Sequence, residues 1–548
     1  MRRTAAALVA AVVVLIALAL PPSPRAVTHS AAVDPLTLKG ALHVHTVKSD
    51  GGGTMDEVAA AAAAAGLTFL VITDHGDGRG LQPPSYRRGV LCIDGAEIST
   101  DQGHVVAIGL KEAEYPLAGE ARDVVEDVQR LGGMAVAAHP ASPKEALAWS
   151  AWEAPIDGIE WLNADSEWRD ESGASLARAV LGYWLRPAAA IARTFDGPSS
   201  ALARADELAA RRALAYVAGH DAHGRIARGG PEDYGRRGIP LPTYRALFET
   251  FAVHVALDRA LTGDAEADAP VLVRALKRGR VFTGIDGVAR PARLMFRATS
   301  GSASAAIGDR LIPAGPVDFE VQAGGPPGAT IVLLHNGAER ARAPAPGLAS
   351  RMVAAPGAYR VEVHVPGAPG TPPVPWIVSS PIYVGVAPVG PLEPQPGAAT
   401  APVGNDWSME HAEGSGGAVS VSPEGVEFDY HLGPIGTSPY AALVHAVAVP
   451  AAARWLSFGA RADRPMRISV QLRSPAGGGA GQRWRRSIFV GPAGRRIAIR
   501  LEEFRAIRGA APAVDRAGAD SLLFVADTVN ADPGSSGRLA LRDVEWRE

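Results

Sequence analysis

Residues 41–53 read ALHVHTVKSDGGG, a short apolar run that ends in two histidines and continues to an aspartate and three glycines. His43 and His45 are two positions apart, so on an extended strand both side chains point to the same side. Asp50 can join them only if the chain folds back over the strand end, and the glycines ease that turn. The stretch alone is compatible with a metal site or with a polar strand end.

The chain around this stretch alternates strands and helices from about Leu38 to Gly284. The β-rich runs include LTFLVITDH, VLCIDGAEIS, HVVAIGL, MAVAAHP, DGIEWLN and LAYVAGHDAH. Ala-rich segments lie between several of them, and Thr54 and Glu57 have the spacing of a capping box before the first helix. LFETFAVHVALDRAL, residues 247–261, predicts a further helix that contains His254. The alternation predicts an α/β fold with parallel strands, either an open doubly wound sheet or a barrel.

Side chains that bind metals follow the ends of five of these runs. Because the carboxyl ends of parallel strands share one face, we expect them to lie close together. The candidate ligands are His43, His45, Asp50, His75, Glu97, His104, His139, Asp221 and His223. One histidine at one strand end is most often an ordinary polar residue, but five such ends together favour a metal site.

The mixture of imidazoles and carboxylates suits Zn, Mn and Fe. A single zinc ion needs three or four protein ligands, so this set is large enough for two or three divalent ions. Clusters of that size are typical of hydrolysis, in which metals activate water and stabilise the attacking and leaving oxygens.

Five motifs carry a family resemblance. LHVHTVKSDG, VITDHG, GAEIST followed by GHVVAIG, AAHP and GHDAH resemble, in order, the motifs of the PHP (polymerase and histidinol phosphatase) superfamily, over Leu38 to Gly287. The resemblance implies a distorted (β/α)7 barrel with two or three metal ions. A hydroxide that bridges these ions would attack a phosphate ester. ALKRGRVFTG and the β-rich region after it resemble the secreted branch grouped with carbaryl hydrolase, which implies a carbamate or amide as the alternative substrate.

Further residues near these motifs are candidates for catalysis or substrate binding. Asp74 is expected to support His75 or to act as acid or base. His220 replaces the serine or asparagine of many PHP motifs, and it either faces away from the site or donates a proton to the leaving group. Asn163 ends a strand on the same face, and the Gly- and Arg-rich loop after His223 places Arg225 and Arg228 where they can bind a phosphate.

Composition and the N-terminus constrain the partners and the compartment. The net charge of −3 and the lack of a Lys/Arg-dense run disfavour nucleic-acid binding. Arg2 and Arg3, the apolar run 5–20 and the small residues up to Ala32 predict a signal peptide over residues 1–32. We therefore expect a periplasmic or secreted protein, with an uncleaved N-terminal anchor as the alternative and no later membrane span. Cys92 is the only cysteine, so no intrachain disulfide can form, and we expect a buried thiol.

After Gly287 the sequence consists of short runs in which apolar and polar residues alternate, separated by Gly/Pro turns. We predict a metallohydrolase domain at 38–287, an Ig-like β-sandwich at 291–388, a Pro-rich linker at 389–403 and a jelly-roll β-sandwich at 404–548. The last resembles galactose-binding-like modules, which implies weak carbohydrate binding. Trp407, Trp455 and Trp484 could form a sugar platform there, although core packing is favoured.

The sequence thus predicts an exported metal-dependent phosphoesterase that acts on a small-molecule ester. Two alternatives remain open. One is a carbamate or amide hydrolase with the same metal centre, and the other is a non-catalytic binding protein that uses the barrel as a scaffold.

Overall fold

The computed structural model describes residues 20–28, 34–197, 200–227, 238–386, 396–436, 438–475, 481–507 and 513–548. Of the predicted signal peptide, only residues 20–28 are described. Arg228 and residues 389–395 of the predicted linker also lie outside the described residues. The chain divides into two compact units, the first formed by residues 1–112 and 120–390 and the second by 113–119 and 391–548.

The first unit is a mixed α/β structure up to residue 290. Its helices are α1 (Met55–Ala64), α2 (Ala121–Arg130), α3 (Ala164–Arg169), α4 (Gly173–Tyr183), α5 (Pro187–Ala192), α6 (Ser200–Ala209), α7 (Tyr244–Phe248) and α8 (Ala265–Lys277). Its strands are β1 (Arg25–Ala26), β2 (Thr37–Ala41), β3 (Phe69–Ile72), β4 (Ser85–Arg87), β5 (Val90–Asp94), β6 (Ala96–Thr100), β7 (Gly103–Ile108), β8 (Met134–Ala137), β9 (Gly158–Asn163), β10 (Ala215–Gly219), β11 (Ile226–Ala227), β12 (Gly238–Ile239), β13 (Ala252–Ala256), β14 (Val281–Gly284) and β15 (Ala289–Arg290).

Local sequence signals account for several of these elements. Glu57 N–H donates to the Thr54 hydroxyl, and the Glu57 carboxylate accepts from Thr54 N–H at 2.8 Å, so the predicted capping box starts α1. The strands β3 and β9 are buried along their whole length, as expected for strands covered on both faces. Cys92 lies buried in β5, as predicted.

Two sheets carry the candidate site, and they are only partly parallel. Strands β2, β3 and β5 are parallel neighbours in one sheet, and β8, β9 and β10 are parallel neighbours in the other. However, β7 pairs antiparallel with both β6 and β8. Two isolated β-bridges join these sheets. One pairs Val44 with Ala222, and the other pairs His75 with Glu97. Residues from both sheets therefore meet where these strands end.

The predicted helix around His254 is wrong. Helix α7 ends at Phe248, and His254 lies in β13, which pairs antiparallel with β2 and β14. The run AVHVA is strand-like because its side chains are packed within a sheet, where β-branched residues fit well.

The β-rich segment after residue 290 contributes β16 (Leu294–Ser300), β17 (Ala303–Ala306), β18 (Arg310–Leu311), β19 (Val317–Ala323), β20 (Thr330–His335), β21 (Ala338–Pro344), β22 (Gly347–Met352), β23 (Gly357–His364), β24 (Ile377–Ser379) and β25 (Ile382–Val384). One four-stranded sheet has the order β17-β16-β19-β22. The other strands extend the sheet of β2, because β24 pairs with β14 as well as with β23. The sheet therefore runs without a break across the boundary that the sequence predicted near residue 290.

Residues within the predicted signal segment also pair with this unit. Strand β1 lies parallel to β15, and Arg25 N–H donates to the carbonyl of Val288 at 2.9 Å. A chain that begins at residue 33 would lack this pairing.

The second unit is built from two six-stranded sheets. Its strands are β26 (Ala399–Pro402), β27 (Trp407–His411), β28 (Gly416–Ser422), β29 (Gly425–His431), β30 (Tyr440–Ala446), β31 (Trp455–Ala462), β32 (Met466–Ser474), β33 (Gln482–Val490), β34 (Arg495–Arg500), β35 (Arg505–Ala506), β36 (Ser521–Asp527) and β37 (Ser536–Arg547), with a 3-10 turn at Leu501–Glu503. The sheet orders are β28-β29-β37-β31-β34, with β26 on β37, and β27-β30-β36-β32-β33-β35. One core contains Phe428 and Phe458 from the first sheet and Ile468 and Phe524 from the second.

The three tryptophans considered for a sugar platform have little exposed ring surface. Trp484 is buried in the core described above, Trp455 is buried, and Trp407 is half-buried and packs against that core. A sugar platform needs exposed ring faces, so these side chains do not form one, and carbohydrate binding by this unit stays a prediction. In neither unit does a helix of the described residues have the length and apolarity needed to cross a bilayer.

Candidate metal centre

The predicted ligands converge where the two sheets join. His43 and His45 follow β2, His75 follows β3, Glu97 and His104 lie in β6 and β7, His139 follows β8, and Asp221 and His223 follow β10. The chain after His45 turns back to bring Asp50 to the same place. All nine side chains lie in one cluster.

Glu97 is the central carboxylate of the cluster, and it is almost completely buried. Its Oε1 contacts His104 Nδ1 at 2.6 Å and His139 Nε2 at 2.7 Å. Its Oε2 lies 3.3 Å from one ring nitrogen each of His43, His45 and His75. Five imidazoles therefore face one carboxylate, which has only two oxygens to offer them.

Asp50 and Asp221 supply the other carboxylates. Asp221 Oδ1 lies 3.3 Å from His45 Nε2 and 3.5 Å from His43 Nε2. Asp50 Oδ2 lies 3.2 Å from His223 Nε2 and 3.6 Å from His75 Nε2. Each carboxylate thus lies between two imidazoles, as in a site where several donor atoms share a cation.

Four overlapping groups of these residues each place one donor atom per residue within 4.8 Å of the others. The groups are His45, Asp50, His75 and His223; His43, Glu97 and His139; His43, His45 and Asp221; and His75, Glu97 and His104. These nitrogen and oxygen donors are compatible with divalent metal ions.

Two buried ring nitrogens show that the hydrogen bonds of the described residues do not complete this cluster. His43 and His45 are fully buried, and the Nε2 atom of each has no hydrogen-bond partner among the described residues. Leaving a buried polar atom unsatisfied costs about 1–3 kcal/mol. Both atoms face the carboxylates of Glu97 and Asp221, so the arrangement fits a cation between them.

Imidazoles and carboxylates of the cluster stabilise each other's charged forms. Burial opposes protonation of His139, but Glu97 outweighs it and raises the pKa of His139 to about 9. Burial likewise opposes protonation of His223, and Asp50 raises its pKa to about 9. Burial favours the neutral form of Glu97, yet His43, His104 and His139 hold its pKa well below the usual range. At neutral pH, protons on His139 and His223 therefore offset part of the carboxylate charge, and a cation would displace them.

Three of the candidate ligands have backbone conformations that are unusual for residues other than glycine. His43, His139 and Asp221 have φ values of 60°, 28° and 45°. Such conformations cost on the order of 1–3 kcal/mol each and cluster at functional sites. The sequence suggested that His43 and His45 face one side because they alternate along a strand. In the structure β2 ends at Ala41, so both histidines lie beyond the strand. His43 turns in through a left-handed backbone.

Glu160, which the sequence argument missed, connects several parts of the cluster. It lies in β9, is 2 % exposed and accepts from His43 Nδ1 at 2.7 Å. It also accepts from the backbone N–H of His139 at 2.7 Å and from Asn163 Nδ2 at 2.9 Å. By accepting at Nδ1, Glu160 leaves His43 Nε2 directed at the cluster. The sequence does contain a feature that indicates a role for Glu160, because it is the one charged residue within the apolar run GIEWLN.

Asn163 and Asp74 lie beside the candidate ligands. Asn163 is buried at the end of β9, donates to Asp221 Oδ2 at 3.3 Å and caps α3 by accepting from Ser166 N–H. Asp74 accepts from the backbone and hydroxyl of Thr46, each at 2.6 Å, and from Ser49 Oγ at 2.7 Å. Asp74 therefore shapes the loop that carries Asp50, and its described hydrogen bonds do not reach an imidazole.

Tyr244 is a second residue that sequence reasoning missed. Its hydroxyl donates to the carbonyl of His45 at 2.8 Å and accepts from the backbone N–H groups of Gly52 and Gly53 at 3.0 and 3.2 Å. It ties the two ends of the 45–53 loop together. Nothing in its local sequence, LPTYRAL, indicates this role.

His220 lies outside the cluster, contrary to the expectation of a proton donor. Its ring is fully buried, stacks on Phe251 with centroids 4.0 Å apart, and contacts the carbonyl of Phe251 through Nε2 at 3.1 Å. Burial lowers its pKa to about 4, so it is neutral at physiological pH. The alternative that the sequence left open, a histidine facing away from the site, matches the structure.

Arg225 lies near the cluster, whereas Arg228 is outside the described residues. An Arg225 Nη2 group donates to the carbonyl of Gly51, and its Nε is buried without a hydrogen-bond partner in the described part of the chain. The guanidinium is thus held next to the loop that carries Asp50.

Comparisons with known proteins add sequence relatives. No family model matches the chain. Over 142 residues, 23% of this chain, it is 30% identical to the uncharacterized protein MJ1587 of Methanocaldococcus jannaschii, of which the match covers 82%. Over 92 residues, 16% of this chain and 32% of the relative, it is 36% identical to the 3',5'-nucleoside bisphosphate phosphatase of Chromobacterium violaceum.

Solved structures show weaker likenesses. A two-domain protein of Bacteroides vulgatus, described as containing a predicted PHP-like metal-dependent phosphoesterase, is 14% identical, with 62% of this chain and 94% of that chain covered and a TM-score of 0.27. A family 11 carbohydrate-binding module of a Clostridium thermocellum cellulase is 19% identical, with 26% of this chain and 86% of that chain covered and a TM-score of 0.22.

Proposed function

We propose that this chain, which belongs to the same family as the uncharacterized protein MJ1587 of Methanocaldococcus jannaschii, is a metal-dependent phosphoesterase. The observation that carries the proposal is the pair of buried, unsatisfied Nε2 atoms of His43 and His45, which face the carboxylates of Glu97 and Asp221. The hydrogen bonds of the described residues leave both Nε2 atoms unsatisfied, whereas binding to a metal ion would satisfy both.

Two or three divalent ions are the cofactor that we propose. The residues that would hold them are His43, His45, Asp50, His75, Glu97, His104, His139, Asp221 and His223. Divalent ions, when bound, lower the pKa of water and neutralise charge on phosphoryl oxygens. Zn, Mn and Fe all suit these donors.

The chain's own residues position the reacting groups. Glu160 fixes the tautomer and orientation of His43, and the Asn163 amide restrains Asp221. Asp74 and Tyr244 hold the loop that presents Asp50. Arg225, whose buried Nε–H has no partner among the described residues, is placed to donate to a phosphate oxygen.

A phosphate ester is the substrate class that we favour over a carbamate. A cluster large enough for more than one cation suits a phosphoryl group, in which the attacking and leaving oxygens both need stabilisation. The Chromobacterium violaceum relative is a phosphatase by name, and the region that it shares with this chain supports the same chemistry here.

The proposal is tested by purifying the full chain, measuring its metal content and assaying phenyl phosphate, bis(p-nitrophenyl) phosphate and 1-naphthyl methylcarbamate. We expect at least one phosphate ester to be hydrolysed and the carbamate to be left intact. Turnover of the carbamate alone would overturn the phosphoesterase assignment.

A matched pair of histidine variants tests the site itself. His139→Ala should lose bound metal and reduce activity by about 100-fold or more, because it removes one proposed ligand together with its contact to Glu97 Oε1. His431→Ala, an exposed histidine of the second unit, is the control and should change neither. Full metal content and activity in His139→Ala would show that the site is assigned wrongly.

We also propose that the chain is exported through residues 1–32 and that residues 38–287 carry the activity. Cell fractionation and N-terminal sequencing of the exported protein test the first point. A full-length chain confined to the cytoplasm would contradict it.

A further inference from the structure

A cavity of about 260 Å³ opens directly beside the candidate metal centre. His139, Glu160 and Asn163 form its wall on the side of the cluster, and α3 with the segment before α6 forms the opposite wall. A substrate bound at the cluster could therefore extend into this cavity, which is large enough for a small alcohol.

The far wall of this cavity is acidic. Glu167, Asp170 and Asp196 line it in addition to Glu160, and the described lining contains no lysine or arginine. A second phosphate in this space would find no cationic side chain in the described lining to offset its charge, so its binding is disfavoured.

Two polar groups in the wall have hydrogen-bonding capacity left over. Ser166 is 8 % exposed, and its hydroxyl has no hydrogen-bond partner among the described residues, since only its backbone N–H is used by Asn163. Glu167 is also 8 % exposed and accepts one bond, from Asp196 N–H at 3.1 Å, through one oxygen. Its other oxygen has no partner in the part of the chain that the structure describes. A ligand that carries several hydroxyl groups would satisfy both.

We propose that this cavity binds the leaving group of the substrate and that the leaving group is a hydroxyl-rich alcohol, such as a sugar or another polyol. The inference rests on the proposed phosphoesterase function and specifies its substrate class. In the reaction, a water oxygen bonds to phosphorus, the bond from phosphorus to the ester oxygen breaks, and the alcohol leaves with a proton while inorganic phosphate is released.

The protonation state of the wall agrees with this ligand class. Burial raises the pKa of Glu167 to about 8, and the neighbouring charges of Asp196 and Asp170 add to the effect. Burial and Asp196 also raise the pKa of Asp170. A protonated carboxyl both donates and accepts, and hydroxyl groups do the same.

The test uses the metal-loaded full chain with glucose 6-phosphate, phenyl phosphate and adenosine 3',5'-bisphosphate. We expect glucose 6-phosphate to have the highest kcat/KM. Ser166→Ala and Glu167→Ala should each lower its kcat/KM by about tenfold, the value of one hydrogen bond, while phenyl phosphate changes less than about twofold. Glu167→Gln, which keeps a donor and an acceptor, should restore most of the loss, and Glu207→Gln on the exposed side of α6 is the neutral control.

A binding measurement separates this inference from the proposed function. Calorimetry with free glucose on the metal-free full chain should show binding that Ser166→Ala weakens. If the wild-type chain hydrolyses no phosphate ester, the proposed function fails. If phenyl phosphate is hydrolysed but the variants shift both substrates equally, if the bisphosphate is preferred, or if glucose does not bind, the leaving-group assignment fails and the phosphoesterase remains.

Discussion

At the scale of single residues, Glu160 is the side chain on which the geometry of the cluster depends most. It accepts hydrogen bonds from a ring nitrogen of His43, from the backbone of His139 and from the amide of Asn163. These three partners come from separate strand ends, so one carboxylate aligns them.

Glu160→Gln should weaken metal binding by about 10- to 100-fold, because an amide accepts more weakly from His43 Nδ1 and carries no charge. Metal titration followed by calorimetry measures the change. Glu207→Gln, whose side chain is 60% exposed, is the matched control. Equal affinities in the two variants would show that Glu160 does not orient His43.

Glu167 provides a pH test at the same scale. Its pKa is about 8 in the folded chain, compared with about 4.3 in an unfolded chain. The folded state therefore binds the proton more tightly, and the stabilisation is complete below about pH 4 and is lost as the pH rises through about 8.

Urea unfolding of the wild type and of Glu167→Gln should therefore diverge between roughly pH 5 and pH 8, with the wild type losing stability relative to the variant as the pH rises. The comparison cancels the titration of groups that both proteins share. Two curves that stay parallel over this range would mean that Glu167 is ionised throughout.

At the scale of elements, the ends of the strands decide where the ligands lie. β10 ends at Gly219, immediately before His220 and Asp221, and it runs beside β9, which carries Glu160. A Cβ added at Gly219 would overlap Glu160 Oε1. The close approach of the two strands at this point therefore requires glycine.

Gly219→Ala should displace Glu160 and destabilise the protein by roughly 1–3 kcal/mol, and it should weaken metal binding in the same direction as Glu160→Gln. Thermal unfolding and metal titration measure the two effects. Gly173→Ala, where an added Cβ meets no atom within 4 Å, is the control. A Gly219→Ala protein with wild-type stability and metal affinity would contradict this account of the strand end.

At the scale of the whole molecule, the candidate metal centre belongs to one of two compact units. A ligand that binds only the folded state stabilises it by about 2.7 kcal/mol at 100 times its dissociation constant. All nine proposed ligands lie in the first unit, so metal binding should stabilise that unit alone.

Calorimetric unfolding of the full chain should therefore show a transition that falls by about 5 °C or more when EDTA removes the metal, and a second transition that does not move. Adding back a divalent ion should restore the first transition. A uniform shift of the whole profile would mean that the units unfold together, and no shift would mean that the cluster does not bind metal tightly.

Much of the candidate site was accessible from the sequence because its signals are local. Ligand-type residues directly after β-rich runs, from His43 to His223, indicated one shared face, and the structure brings them to one cluster. The capping box at Thr54 and the buried Cys92 were also local signals. Chain order alone places such residues near a strand end.

The remaining features depend on contacts between distant parts of the chain. Glu160 and Tyr244 reach the cluster from 117 and 199 residues away, and His220 faces Phe251 although it adjoins a candidate ligand. The run around His254 forms a strand because β2 and β14 lie on either side of it. Local residue patterns establish which side-chain chemistry lies at the strand ends. Which of those side chains enter the cluster is set by the folded chain, because it depends on packing and backbone conformation that local patterns do not encode.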